Sequence, residues 1–83
     1  MKKVAYSKSS LKVLRKMPVN EARRIVAKVE QFASDPASLG NNVKALVGSN
    51  YVRLRVGDWR VIMDDQGLVL DVLKIGPRGD VYE

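Results

Sequence analysis

Residues 51–75, YVRLRVGDWRVIMDDQGLVLDVLKI, decide the fold of this chain, because apolar and polar side chains alternate along them. Alternation with a period of two is typical of β-strands, and valine, leucine and isoleucine fill most of the apolar positions. Gly57-Asp58 and Asp65-Gln66-Gly67 interrupt the alternation with residues that are common in tight turns. We therefore predict three consecutive antiparallel strands, over about residues 51–56, 59–64 and 68–75.

A two-residue turn at Gly57-Asp58 fixes the register of the first hairpin. Val56 then pairs with Trp59, and Arg55 pairs with Arg60. Because alternate residues share a face of a sheet, one face becomes continuously apolar and requires a cover. That predicted inner face consists of Val52, Leu54, Val56, Trp59, Val61, Met63, Leu68, Leu70 and Val72.

The opposite, outer face collects three arginines from the same hairpin. Like charges placed directly across two strands destabilise a sheet, so the facing pair of Arg55 and Arg60 indicates a functional requirement. The planar guanidinium group suits phosphate, which predicts an anion site. The alternative is a solvated face on which Asp71 neutralises one arginine. A mixed face favours binding, and its members are Arg53, Arg55, Arg60, Ile62, Val69, Asp71 and Leu73.

The first half of the chain has the period of helices. Lys3 to Tyr6 is predicted as a short strand, and Ser7 or Ser9 as the cap of a helix ending near Met17. Pro18 begins the connection to a second helix, which ends at Ser34-Asp35-Pro36. The apolar face of that helix comprises Ala22, Ile25, Val26, Val29, Phe32 and Ala33.

The connecting residues 36–43 contain many turn formers and are predicted as a loop. Helices followed by a run of strands indicate the α+β class. We predict two N-terminal helices packed on one face of a small, mainly antiparallel, twisted sheet.

Composition limits the possible chemistry. The 83 residues are predicted to form one domain, residues 1–83, and include no cysteine and no histidine. Disulfides, thiolate nucleophiles, zinc sites of the CxxC type and histidine acid–base catalysis are excluded. No apolar run approaches the roughly 18–20 residues of a membrane span, so we expect a cytoplasmic protein with no membrane partner.

The net charge of +6 predicts an anionic partner. Residues 1–28 carry nine basic residues and one acid, whereas residues 51–83 carry five basic residues and six acids. The C-terminal tail adds Arg78 and Tyr82, and a tyrosine beside arginines is suited to binding nucleic acid. The basic residues of the helices are expected to steer association. Lys44, just before the sheet, is either a phosphate contact or a solvent-facing loop lysine.

Three stretches, YVRLRVGDWRVIM, LVLDVLKIG and PRGDVY, resemble the RelE/ParE superfamily of bacterial toxin–antitoxin toxins, with the RelE-like branch favoured. The resemblance implies a RelE-like, microbial ribonuclease type of fold. It also implies a ribosome-dependent mRNA endonuclease, or mRNA interferase, that inhibits translation without metal or cofactor. The 2′-hydroxyl of A-site mRNA would attack the adjacent phosphorus. The implied partners are a cognate antitoxin protein and the ribosome, with its rRNA and mRNA.

Carried onto this chain, the resemblance implies a catalytic set. The catalytic residues would be Arg53, Arg55, Arg60, Arg78 and Tyr82. Beside them we expect Lys44 and Lys74 to contact the RNA.

Two other functions fit the same resemblance. A ParE-type toxin would poison DNA gyrase by binding alone, and a degenerate member would bind its antitoxin and cut nothing. Pro77, where many members of the superfamily carry a basic residue, and the lack of an obvious general base keep the second alternative open.

Overall fold

Two helices, a short 3₁₀ helix and five strands make up the described part of the chain, which comprises residues 2–45 and 51–77 of a computed structural model. The sheet has the order β1-β5-β4-β3-β2, with β1 parallel to β5 and all other neighbours antiparallel. In chain order the elements are β1 (Lys3–Tyr6), α1 (Lys8–Lys16), α2 (Val19–Ser34), the 3₁₀ helix (Pro36–Leu39), β2 (Val43–Ala45), β3 (Tyr51–Val56), β4 (Trp59–Asp65) and β5 (Val69–Pro77). This architecture confirms the predicted fold class.

The β3–β4 hairpin has the register predicted from its turn. Val56 faces Trp59, and Arg55 faces Arg60. Gly57 adopts a φ of 59°, in the left-handed region that glycine enters without steric cost. The two-residue turn is therefore built from the residue type that its backbone requires.

A β-bulge in β5 corrects the predicted third strand. Ile62 pairs with Lys74 and Met63 with Val72, so Leu73 is the extra residue. The bulge turns Ile75 inward, where it is 3% exposed. Lys74 consequently joins the outer face, opposite Ile62.

The predicted inward position of Leu68 is wrong. β5 begins at Val69, and Leu68 lies in the preceding turn with 87% of its surface exposed.

The start of α1 stabilises the bulge. The Ser7 Oγ accepts a hydrogen bond from the Ser10 backbone N–H at 3.1 Å, which caps the helix. Ser7 Oγ also lies 2.9 Å from the Leu73 carbonyl oxygen, and Ser10 Oγ donates to the Val72 carbonyl oxygen at 3.2 Å. The Val72 carbonyl oxygen also accepts a hydrogen bond from the Ser7 backbone N–H at 2.9 Å. The two carbonyl groups at the bulge thus find donors at the start of α1.

Residues 36–43 are more ordered than a loop, which corrects that prediction. Pro36 starts the 3₁₀ helix, and β2 begins at Val43 as the edge strand beside β3. Strand β2 has only three residues, which is too short for an alternating pattern to be recognised in the sequence, and two of the three are exposed.

The core lies between α2 and the inner face of the sheet. Ile25 and Val29 on the helix, and Leu54 and Val61 on the hairpin, are completely buried. The remaining buried members of this cluster are Met17, Phe32, Ala33, Leu39, Val56, Met63, Leu70, Val72 and Ile75. Within residues 2–45 and 51–77, neither helix has the length and apolar character needed to span a bilayer.

Tyr6 brings a polar atom into this core. Its hydroxyl oxygen is buried and has no hydrogen-bond partner among the described residues. Burial, with a smaller contribution from the negative charge of Glu30, raises the pKa of Tyr6 from 10.0 to about 12.

We predict that the wild-type protein loses stability between pH 10 and 12, and that Tyr6→Phe does not show this loss. The folded protein holds the phenol proton more tightly than the unfolded chain does, so this stabilisation is complete below pH 10.0 and is lost as the pH approaches about 12. Urea unfolding of both proteins across this range measures the difference. The free energy of unfolding of the variant should rise relative to that of the wild type as the pH rises. A difference that does not change with pH would contradict the prediction.

Candidate nucleic-acid interface

The outer face of the sheet carries a cluster of five basic side chains, which we call the basic face: Lys44, Arg53, Arg55, Arg60 and Lys74. Arg55 lies directly opposite Arg60. In the next row Lys44 faces Arg53, Arg53 faces Ile62, and Ile62 faces Lys74. Three adjacent strands and the bulged β5 therefore contribute cations to one surface.

A cavity of about 390 Å³ lies near the hairpin turn. The arginines of the basic face line a different cavity, of about 280 Å³, on the outer face. Because the cations of the second cavity come from three different strands, their positions are fixed by the sheet ladder and not by a loop. The residues that line this second cavity are Asn41, Asn42, Val43, Lys44, Arg53, Arg55 and Arg60.

The arginines differ in their surroundings. Arg53 and Arg60 are half-buried, whereas Arg55 is exposed. Arg60 donates a hydrogen bond from Nη1 to the backbone oxygen of Trp59 at 3.3 Å. Ile62, between Arg53 and Lys74, is only 8% exposed although it lies on the outer face, and the aliphatic stems of long basic side chains readily cover such a neighbour. The interface thus combines guanidinium groups with an apolar floor.

Trp59 fastens the hairpin to the helical layer. Its indole Nε1 donates a hydrogen bond at 2.8 Å to Oε1 of Glu21, which lies in the first turn of α2. Trp59 directly precedes Arg60 and accepts the guanidinium hydrogen bond through its backbone. The contact with Glu21 therefore stabilises the segment that presents Arg60.

The acidic residues of the outer face lie far along the strands from Arg60. Asp71 lies opposite Asp64, and Asp64 lies four residues along β4 from Arg60, or about 13 Å at the rise of a β-strand. Asp64 also faces Tyr51, which is two residues from Arg53 on β3, so the two carboxylates lie nearer to Arg53 than to Arg60. In this register, the alternative in which Asp71 neutralises an arginine of the hairpin applies to Arg53 and not to Arg60.

The structure brings four predicted residues together around the cavity, namely Lys44, Arg53, Arg55 and Arg60. Lys74 lies on the same face beside Ile62, outside the cavity lining. Arg78 and Tyr82 lie outside the described residues.

Asn41 and Asn42 were missed by the sequence analysis, because their segment had been predicted as a loop. Within the described ranges, no group of three histidine, cysteine or acidic side chains is arranged to hold a metal ion.

Clustered guanidinium groups bind phosphate through several charge-assisted hydrogen bonds at once. They also stabilise negative charge that develops on a phosphate during reaction, provided that the groups are already in place. The basic face has the charge and the fixed geometry for both tasks.

Comparison with protein families gives a match over nearly the whole chain. The model of a family described as the ParE toxin of type II toxin–antitoxin systems, parDE, matches residues 4–82. No curated protein sequence matches closely enough to count as a relative.

Comparison with solved structures gives matches of full length. A chain in the archaeal RelE–RelB complex of Pyrococcus horikoshii OT3 is 28% identical with a TM-score of 0.79, and the match covers 96% of this chain and 98% of that one. A chain in the RelB–RelE complex of Methanococcus jannaschii is 22% identical with a TM-score of 0.73, covering 95% and 99%. The isolated RelE toxin of E. coli is 16% identical with a TM-score of 0.76, covering 99% and 89%. The last two, at lower identity, show the shared fold.

We predict that Arg55→Thr stabilises the isolated protein, because it removes a like-charge pair across β3 and β4. The expected gain in free energy of unfolding is about 0.5 kcal/mol in low salt, and it should shrink as salt screens the repulsion. Urea unfolding at two salt concentrations measures it. Lys3→Thr is the control, because this exposed strand lysine faces Val69 and not a cation. Equal effects of the two substitutions would contradict the prediction.

Proposed function

Because this chain belongs to the family of ParE toxins of type II toxin–antitoxin systems, we propose that it is a RelE-like toxin that cleaves mRNA in the ribosomal A site and inhibits translation. The observation that carries the proposal is the convergence of Lys44, Arg53, Arg55 and Arg60 around one cavity on an open sheet face. The 28% identity to a chain of an archaeal RelE–RelB complex, over nearly full length, supports the RelE-like branch. A ribosomal target places the action in the cytoplasm.

The proposed reaction is an attack by the mRNA 2′-hydroxyl on the adjacent phosphorus. A bond forms between the 2′-oxygen and phosphorus while the bond to the 5′-oxygen breaks, which gives a 2′,3′-cyclic phosphate and a 5′-hydroxyl. The proton of the 2′-hydroxyl is lost and the leaving 5′-oxygen gains one. Water is not consumed, and neither a metal nor a cofactor is needed.

The basic face supports this reaction by stabilising charge. Negative charge accumulates on the non-bridging oxygens as the fifth bond to phosphorus forms, and fixed guanidinium groups stabilise it without reorganisation. Arg60 is the proposed phosphate clamp, because it is half-buried and held by the Trp59 carbonyl at 3.3 Å. Arginine, with a pKa above about 12, is a poor proton acceptor, so we assign the proton transfer to Tyr82 and additional phosphate binding to Arg78.

The ribosome is proposed to hold the mRNA in position. Alignment of the 2′-hydroxyl with the phosphorus contributes much of the rate in reactions of this kind. The exposed cations of α1 and α2 then increase the rate of association with ribosomal RNA.

Inhibition of DNA gyrase is the second candidate function, favoured by the ParE description of the matching family. A toxin of that type needs a binding surface and no cleavage chemistry. In both cases the chain is a toxin, and the fold does not distinguish the targets.

We predict that induced expression produces new mRNA 5′ ends spaced by codons, and that Arg60→Ala reduces their formation by about 10²–10³-fold. This is the effect of removing one group that stabilises a developing charge. Tyr82→Ala should also abolish the cuts. Lys3→Ala, at an exposed lysine on β1 that faces Val69, is the control and should cut normally.

Three results would count against this function. Intact mRNA together with double-strand DNA breaks would identify gyrase as the target. Growth without arrest would identify an inactive member that only binds its antitoxin. Cuts that persist in Arg60→Ala would remove the basic face from the mechanism.

A cognate antitoxin is the expected protein partner, and the matched complexes named above contain RelB antitoxins. An apolar groove of about 440 Å³ between α1 and α2 offers a surface for it. Leu14, Val19 and Val26 contribute apolar surface, and Arg15 and Arg23 add positive charge. An amphipathic antitoxin helix with acidic flanks is complementary to such a groove. We propose that this segment binds there.

We predict that Ala27→Glu weakens antitoxin binding at least tenfold. Ala27 is exposed and lines the groove, so a longer, negatively charged side chain should block an acidic helix without disturbing the core. Ala37→Glu, on the exposed 3₁₀ helix, is the matched control and should bind normally. Titration calorimetry with the purified antitoxin distinguishes them, and equal affinities would rule out the groove.

A further inference from the structure

Asn42 continues the row of side chains that contains Arg55 and Arg60. Val43 faces Leu54, so the residue before Val43 stands opposite Arg55. The backbone supports this, because the Arg55 N–H donates a hydrogen bond to the Asn42 carbonyl oxygen at 2.8 Å. Residues two apart on a strand share a face, which places Asn42 on the outer face with Lys44.

The backbone of Asn42 is held on both sides. Its N–H donates to the Leu39 carbonyl oxygen at 2.8 Å, and its own carbonyl accepts from Arg55. The side chain is exposed and lines the same cavity as the arginines. Neighbouring strands lie about 4.8 Å apart. The backbone of Asn42 is therefore one strand spacing from that of Arg55 and two strand spacings from that of Arg60.

The amide group offers a chemistry that the arginines lack. Guanidinium groups only donate hydrogen bonds, and phosphate oxygens only accept them, so arginines alone satisfy a phosphate. A carboxamide donates and accepts at adjacent atoms, which matches the edge of a nucleobase. Adenine offers an amino group beside an acceptor ring nitrogen on two of its edges, N6 with N1 and N6 with N7, whereas cytosine offers such a pair on one edge, N4 with N3. An asparagine can therefore form two hydrogen bonds with adenine in two ways.

We propose that Asn42 reads the base of the nucleotide whose phosphate lies on Arg55 and Arg60, with a preference for adenine. This inference rests on the proposed function, because it takes RNA as the ligand of the basic face. It adds a residue that determines sequence preference beside the residues that bind phosphate.

The test measures binding without cleavage. The probes are short 2′-fluoro RNAs, which lack the attacking hydroxyl: one contains uracil only, and the others carry a single adenine at successive positions. Fluorescence anisotropy with the full chain should show about tenfold tighter binding when adenine occupies one particular position. Asn42→Ala should bind all probes with the affinity of the uracil-only RNA. Asn41→Ala, the neighbouring asparagine of the same cavity, is the matched control and should keep the preference.

The proposal is overturned if Asn42→Ala keeps the preference for adenine, or if the preference is lost in Asn41→Ala and not in Asn42→Ala. It is also overturned if the wild-type chain shows no preference or binds none of the probes. Failure of the proposed function has a different signature. If induced expression leaves mRNA intact while the preference for adenine depends on Asn42, the endonuclease assignment fails and base reading stands. If mRNA is cut and the preference does not depend on Asn42, only this inference fails.

Discussion

The two-residue turn at Gly57-Asp58 is the constraint on which the rest of the structure depends. A turn of this length permits one register, which places Leu54 opposite Val61 and Arg55 opposite Arg60. A slip of one residue would move every side chain of the strand to the other face. The completely buried Leu54 and Val61 oppose such a slip, so the apolar inner face forces the arginine pair on the outer face to persist despite its repulsion.

The sequence was sufficient to predict this hairpin because turn chemistry and alternation are both local. The opening strand, the two helices and the gathering of Arg53, Arg55 and Arg60 on one face followed from the same local patterns. Arg78 and Tyr82 stay predictions that rest on the resemblance to the superfamily.

Features that depend on distant contacts could not be predicted in this way. The bulge at Leu73 is supported by the Ser7 and Ser10 hydroxyl groups, more than sixty residues earlier in the chain. Without knowledge of these bonds, strict alternation turns Lys74 inward and Ile75 outward, the reverse of what the structure has. Strand β2 was missed for a related reason, since its partner β3 and not its own three-residue sequence makes it a strand.

The division of charge follows from the same architecture. The helices bury the inner face, which leaves most of their cations in solvent. Four cations of the sheet, namely Lys44, Arg53, Arg55 and Arg60, converge on one cavity. Position on the sheet and not net charge thus distinguishes the proposed phosphate-binding residues from the proposed steering residues. The groove between α1 and α2 and the basic face belong to different layers, so the proposed antitoxin and RNA surfaces are separate.

The central claim is that the basic face promotes attack by an RNA 2′-hydroxyl on its own phosphate. The most direct measurement uses translating ribosomes, the purified chain and an mRNA in which one mapped cleavage site carries a single 2′-deoxynucleotide on the 5′ side of the cut. The account predicts that cleavage stops at that site, continues at unmodified sites, and leaves 2′,3′-cyclic phosphate on the products. Cleavage that persists at the 2′-deoxy site would contradict it.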